Sequence, residues 1–201
     1  MIRETGLDHL AALREAVDGF EEGSTLAAEW GVDLAGLLPH GRRLMACGNG
    51  GSAAQAQHLT GEFVGKYDED RNPFSAICLN AETSSLTAIL NDYPAEEVYA
   101  RQVLAHGRRG DVLVCLSTSG RSANVVAAAR AADEAGVRVW SMTGALPNPL
   151  AEVSERVIAV PCSQTGTVQE LHLVAMHIVC AAFDRAIGAA SLPKPRARVA
   201  S

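Results

Sequence analysis

Five short apolar segments, each bounded by polar, glycine or proline residues, decide what this 201-residue chain can fold into. They are RRLMAC (42–47), FSAICL (74–79), DVLVCLS (111–117), VRVWSM (137–142) and RVIAVP (156–161). Helical patterns lie between most of them, at about 52–66, 83–91, 95–107, 122–136 and 167–188. Short apolar runs that alternate with helices imply an α/β fold with a five-stranded parallel sheet buried on both faces. Two further helices are expected in front of that core. Residues 3–22 place Leu7, Leu10, Leu13 and Val17 on one side, and Ser24 is a candidate N-cap for a helix that Pro39-His40-Gly41 ends. The chain therefore divides into N-terminal helices (1–40), an α/β domain (41–188) and a proline-containing basic tail (189–201) with Lys194, Arg196 and Arg198. The tail reads as a solvated end, with an interaction tail as the alternative.

Bulk composition narrows the function classes. Hydrophobic residues at 48% and charged residues at 20% are ordinary for a globular protein. A formal net charge of −6 argues against nucleic acid or an anionic membrane as a partner held by overall charge. The five cysteines, Cys47, Cys78, Cys115, Cys162 and Cys180, are widely spaced with no CxxC. They read as small buried hydrophobes in a reducing cytosol rather than as a disulfide framework. The first residues carry acids and lack the apolar stretch of a signal peptide, so the expected compartment is the cytoplasm.

Two strand-to-helix turns carry chemistry. The first, CGNGGSAA, offers Asn49, Gly50, Gly51 and Ser52; the second, LSTSGRSANV, offers Ser117, Thr118, Ser119 and Ser122. Glycines let backbone approach an anion, hydroxyls add donors, and the following helix presents free N–H groups. Neither turn is GxGxxG or a P-loop, so a hydroxyl-rich cradle with little positive charge points to a sugar phosphate. Beyond the first turn, His58 and Glu62 stand i, i+4 on one helix face. In QELHLVAMHIV, Glu170 and His177 are seven apart and align on spacing, whereas Gln169 and His177 are offset by roughly 80°. His172, between them, reads as a helix-surface or subunit-contact residue.

CGNGGSAAQAQHLTGEFVGKY, LSTSGRSANVVAA and TVQELHLVAMHIV together resemble the bacterial phosphoheptose isomerases of the sugar isomerase (SIS) superfamily. The resemblance spans most of residues 42–185, in order. It implies a three-layer αβα SIS fold, flavodoxin-like, and isomerisation of sedoheptulose 7-phosphate to D-glycero-D-manno-heptose 7-phosphate. It maps Glu62 and His177 as the catalytic pair, and His58, Glu62, Gln169 and His177 as ligands of one zinc ion. Gln169, Asn91 and Asp92 fall on the sugar side of the pocket, although an Asx turn ahead of Pro94 explains Asn91-Asp92 equally. The family's typical homotetramer gives the N-terminal apolar stripes a subunit to bury against. Two rival readings stay open: a non-catalytic SIS protein of the kind that associates with a replication initiator, and an isomerase of another phosphosugar.

Overall fold

The computed structural model describes residues 2–188; the basic tail lies outside them. Five strands, β1 (Leu44–Gly48), β2 (Ala76–Cys78), β3 (Val112–Ser117), β4 (Arg138–Thr143) and β5 (Arg156–Ala159), form one sheet in the order β2-β1-β3-β4-β5. Every pairing is parallel, with Leu44 opposite Ala76 and Val112, and Val112 opposite Arg138. The helices are α1 (Ile2–Asp18), α2 (Glu21–Leu37), α3 (Gly51–Val64), α4 (Thr83–Asp92), α5 (Glu97–His106), α6 (Ala123–Glu134), α7 (Pro149–Glu152) and α8 (Thr165–Ala186).

Strand periodicity sorts the core into two layers, because successive side chains point to opposite faces. Leu44, Ala46, Val112, Val114, Leu116, Trp140 and Met142 face α2, α3 and α8. Met45, Cys47, Leu113, Cys115 and Val139 face α5, α6 and α7. The result is the three-layer αβα arrangement that the alternating segments predict.

The N-terminal helices depart from expectation. Helix α2 begins at Glu21, not after Ser24, whose hydroxyl donates to the Glu21 carbonyl at 2.7 Å and so lies inside the first turn. The break falls at Gly19-Phe20 because the Phe20 ring turns inward to only 5% exposure and occupies the space a side chain at Gly23 would need. The apolar stripe of α2 is spent within its own chain: Ala27, Trp30 and Leu34 are buried against the sheet and α8. Gly31 permits this close approach, since a Cβ there would overlap the Val179 carbonyl. Helix α1 is different. Its Leu7, Leu10 and Val17 are 57%, 47% and 50% exposed. Helix α8 is long and apolar enough to cross a membrane by length and composition, but Leu171, Ala175, Met176, Val179 and Phe183 are core residues packed on the sheet side. The short helix α7 was not legible as a pattern; Pro149 starts it and the Asn148 side chain caps it by accepting from the Ala151 amide.

Candidate active site

The site begins between β1 and β3, where the connections switch from one face of the sheet to the other. After β1 the chain passes to α3 on one face, and after β3, its neighbour, it passes to α6 on the other. A crevice opens at the carboxyl ends of two such strands, and ligands of open α/β sheets bind there. Both hydroxyl-rich turns lie at this point.

Each turn is shaped by glycines with specific reasons. Gly50 has φ +54°, and a Cβ on Gly51 would fall 2.5 Å from Gln169 Nε2. In the second turn Gly120 has φ +61° and its carbonyl accepts from the Leu150 amide at 3.0 Å. A side chain at Gly120 would overlap the amide of Asn148, which is 2% exposed and donates to Thr143 Oγ1 at 3.1 Å. The segment ahead of α7 thus braces the second turn from behind. The two turns are also strapped together. Asn49 and Asn124 exchange amide hydrogen bonds of 2.8 and 2.9 Å. The Tyr99 hydroxyl donates to the Gly48 carbonyl at 2.7 Å. Burial, helped by the nearby Cys47 and Cys78 thiols, raises the Tyr99 pKa to about 12, so it remains a donor at neutral pH. Ser117 and Ser122 hydroxyls meet at 3.1 Å, and Ser52 and Ser117 are buried at the floor. Thr118 is half-buried, while Asn49, Gly50 and Ser119 face solvent.

Further along α3, His58 Nε2 and Glu62 Oε1 are 2.8 Å apart. The His177 ring, from α8, lies edge-on to His58 with centroids 5.2 Å apart, and Tyr67 covers His177 at 5.7 Å. Gly51 facing Gln169 and His58 facing His177 mean that α3 and α8 run side by side in the same direction. Segments more than a hundred residues apart therefore bring an acid and two imidazoles together. Residues 11–144 match the SIS domain family. The chain belongs to that family.

Individual relatives are more specific than the family. The chain is 58% identical over 179 residues to the phosphoheptose isomerase of Streptomyces coelicolor, covering 89% of this chain and 78% of that one. It is 48% identical over 162 residues to the phosphoheptose isomerase of Rhodospirillum rubrum, covering 81% and 86%. The solved phosphoheptose isomerase of Neisseria gonorrhoeae superposes with a TM-score of 0.82 at 38% identity, over 92% of this chain and all of that one.

Within this SIS domain, the expected metal set divides. His58, Glu62 and His177 gather, but Gln169 packs on Gly51, and its carbonyl accepts from Gln55 Nε2 at 2.6 Å. It stands two helical turns before His177, about 12 Å along the axis. Among the described residues, no group of three or more His, Cys, Asp or Glu side chains is arranged to hold a metal ion. Glu170, which spacing alone pairs with His177, is instead tied to α1 by His9 Nε2 at 2.9 Å. Asn91 and Asp92 are the last two residues of α4, not a turn before Pro94. They are exposed, and the Asn91 amide donates to Asp92 Oδ1 at 2.7 Å. His172 is not on the surface at all. It is fully buried, its Nε2 donates to the Thr143 carbonyl at 3.2 Å, and desolvation lowers its pKa to about 4. A cavity of about 380 Å³ lined by Tyr67, Asp68, Glu69, Ala181, Asp184 and Arg185 opens beside the His177 end of α8. A roomier concavity of about 590 Å³ lies at the opposite, amino-terminal edge of β4, where Arg138 and Glu155 pair across it; size does not identify the site here.

Sequence reasoning missed Tyr99, Asn124 and Asn148. Asn124 sat inside the second motif, two residues beyond Ser122, and the other two carry no local signal.

Proposed function

We infer that this SIS protein is a phosphoheptose isomerase that interconverts sedoheptulose 7-phosphate and D-glycero-D-manno-heptose 7-phosphate. One observation carries the reading: helix α3 presents a glycine-built anion cradle at its N-terminus and the His58–Glu62 pair farther along the same helix, with His177 alongside. The phosphoheptose isomerases at up to 58% identity supply the substrate class. A helix N-terminus and clustered hydroxyls suit the phosphate, and the rest of the substrate then extends toward the titratable side chains. In the ketose-to-aldose direction, Glu62 removes the proton from C1 and returns it to C2. His177 moves the proton from O1 to O2, and the species between is a cis-enediol.

Zinc belongs to the same proposal. His58, Glu62 and His177 offer the imidazole and carboxylate donors that zinc accepts, with Glu62 and His177 each beside His58 although the three do not surround a common centre. Bound there, the ion would polarise the substrate carbonyl. Gln169, held against Gly51, is assigned to the substrate side. The exposed Leu7–Leu10–Val17 stripe of α1 supports self-association, and the proposed assembly is a homotetramer. Five free thiols accord with a reducing, cytoplasmic compartment.

The test is turnover of sedoheptulose 7-phosphate by a Glu62→Gln variant, which keeps the shape and removes the base. A loss of about 100-fold or more is expected. Turnover at the parent rate refutes the assignment, and absence of turnover by the parent protein favours a binding-only SIS protein.

A further inference from the structure

We propose that Arg71 is a positioning residue for the isomerisation: its buried guanidinium fixes the end of α3 that carries Glu62 to the helix that carries His177. This inference rests on the catalytic pair assigned above. Arg71 is 3% exposed, and a guanidinium taken out of water must find partners for its donors. Four bonds account for most of them. Nε donates to Asp184 Oδ1 at 2.6 Å, Nη2 to the Glu62 carbonyl at 2.7 Å, and Nη1 to the carbonyls of Phe63 and Asn72 at 3.1 and 3.2 Å. Phe63, Phe74 and Phe183 surround the group, with ring centres 6.0, 5.4 and 5.4 Å from Cζ.

The placement has a mechanical meaning. Helix α3 ends at Val64, and the last carbonyls of a helix lack intrahelical donors and fray. The Glu62 and Phe63 carbonyls are two of these. Arg71 donates to both, the Phe63 carbonyl also accepting from the Phe74 amide at 3.0 Å, and puts positive charge where the helix dipole is negative. Its other partner, Asp184, is seven residues after His177 on α8, two turns away on the same face. One planar fork therefore connects the backbone of the proposed base to the helix of the proposed proton carrier. Neither phosphate turn touches it.

A purely structural ion pair and a positioning clamp predict different kinetics. Losing the first lowers stability but leaves kcat of the folded protein intact. Losing the second lets Glu62 drift, so kcat falls while the remote phosphate site is undisturbed. Arg71→Lys retains the charge opposite Asp184 but lacks the planar fork that also reaches two carbonyls. The experiment compares parent, Arg71→Lys and Glu62→Gln for kcat on sedoheptulose 7-phosphate and for the inhibition constant of inorganic phosphate, with circular dichroism as the check on folding. For Arg71→Lys, kcat falls about tenfold to a hundredfold while the phosphate constant stays within about twofold. An unchanged kcat, or an equal loss of phosphate affinity, overturns the proposal. If Arg71→Lys does not fold, Asp184→Ala takes its place: it removes the acceptor for Nε that ties the fork to α8, a fall in kcat alone supports the clamp, and an unchanged kcat overturns it. An inactive Glu62→Gln beside a fully active Arg71→Lys removes the clamp alone; an active Glu62→Gln removes the catalytic assignment and the clamp with it.

Discussion

Replacing Gly51 by alanine separates stability from activity. Gly51 is the first residue of α3 and does not have a positive φ, so alanine is unstrained there. In a helix the exchange gains at most about 1 kcal/mol, because glycine loses more backbone freedom on folding. The added carbon would stand 2.5 Å from Gln169 Nε2 and 2.9 Å from its Cδ and Oε1. Ordinary contact begins near 3.5 Å, so the carboxamide must retreat by about 1 Å. It is the far end of a flexible side chain, and it can swing without moving α8. A displacement of about 1 Å in a substrate-positioning group costs roughly 100-fold in rate. The assay is kcat/KM for sedoheptulose 7-phosphate together with thermal unfolding. The expected variant is as stable as the parent or slightly more so, and about 100-fold less efficient. Efficiency within about threefold of the parent would refute the role given to Gln169. A Tm lower by more than about 4 °C would show that backbone, not the glutamine, gave way.

Three other outcomes follow from the structure. The pKa of His172 falls from 6.5 to about 4 on burial, so the folded state favours the neutral ring; its contribution is complete above pH 6.5 and is lost as pH falls toward 4. That is about 3 kcal/mol at 1.36 kcal/mol per pKa unit. His172→Gln, which keeps a donor for the Thr143 carbonyl, should flatten the decline of Tm between pH 7 and 4.5, and identical slopes refute this. Purified His58→Ala should carry less zinc than the parent by elemental analysis, and equal content removes His58 from the ligand set. Leu10→Asp on the exposed face of α1 should lower the oligomeric mass in light scattering; an unchanged mass places the interface elsewhere.

The sheet was legible because strand burial and helix periodicity are written locally. All five apolar segments became strands, and the helix after each turn appeared within a few residues of its expected start. The two glycine- and hydroxyl-rich turns were legible for the same reason, since those residues cluster in sequence where the backbone must bend. What failed needed three dimensions. His172 reads as one more polar position on an exposed helix until the β4 carbonyl that receives it is known. Helical spacing selected Glu170 over Gln169, and geometry answered differently for each: Glu170 is occupied by His9, and Gln169 turns toward Gly51. Ser24 looked like a cap because the burial of Phe20, which moves the break upstream, has no local signature. Arg71 lay in an acidic stretch, YDEDRNPF, where a charged residue reads as solvated surface.

Glu170, His177 and Asp184 recur every seven residues along one seam of α8, and each answers to a different neighbour: His9, His58 and Arg71. A single inserted or deleted residue between positions 170 and 184 would turn the downstream part of the seam by about 100°. The length of that span is consequently pinned at three places at once. Drift in the family by gain or loss of residues should be confined to the loops at either end of the helix, while the seam itself changes only by substitution.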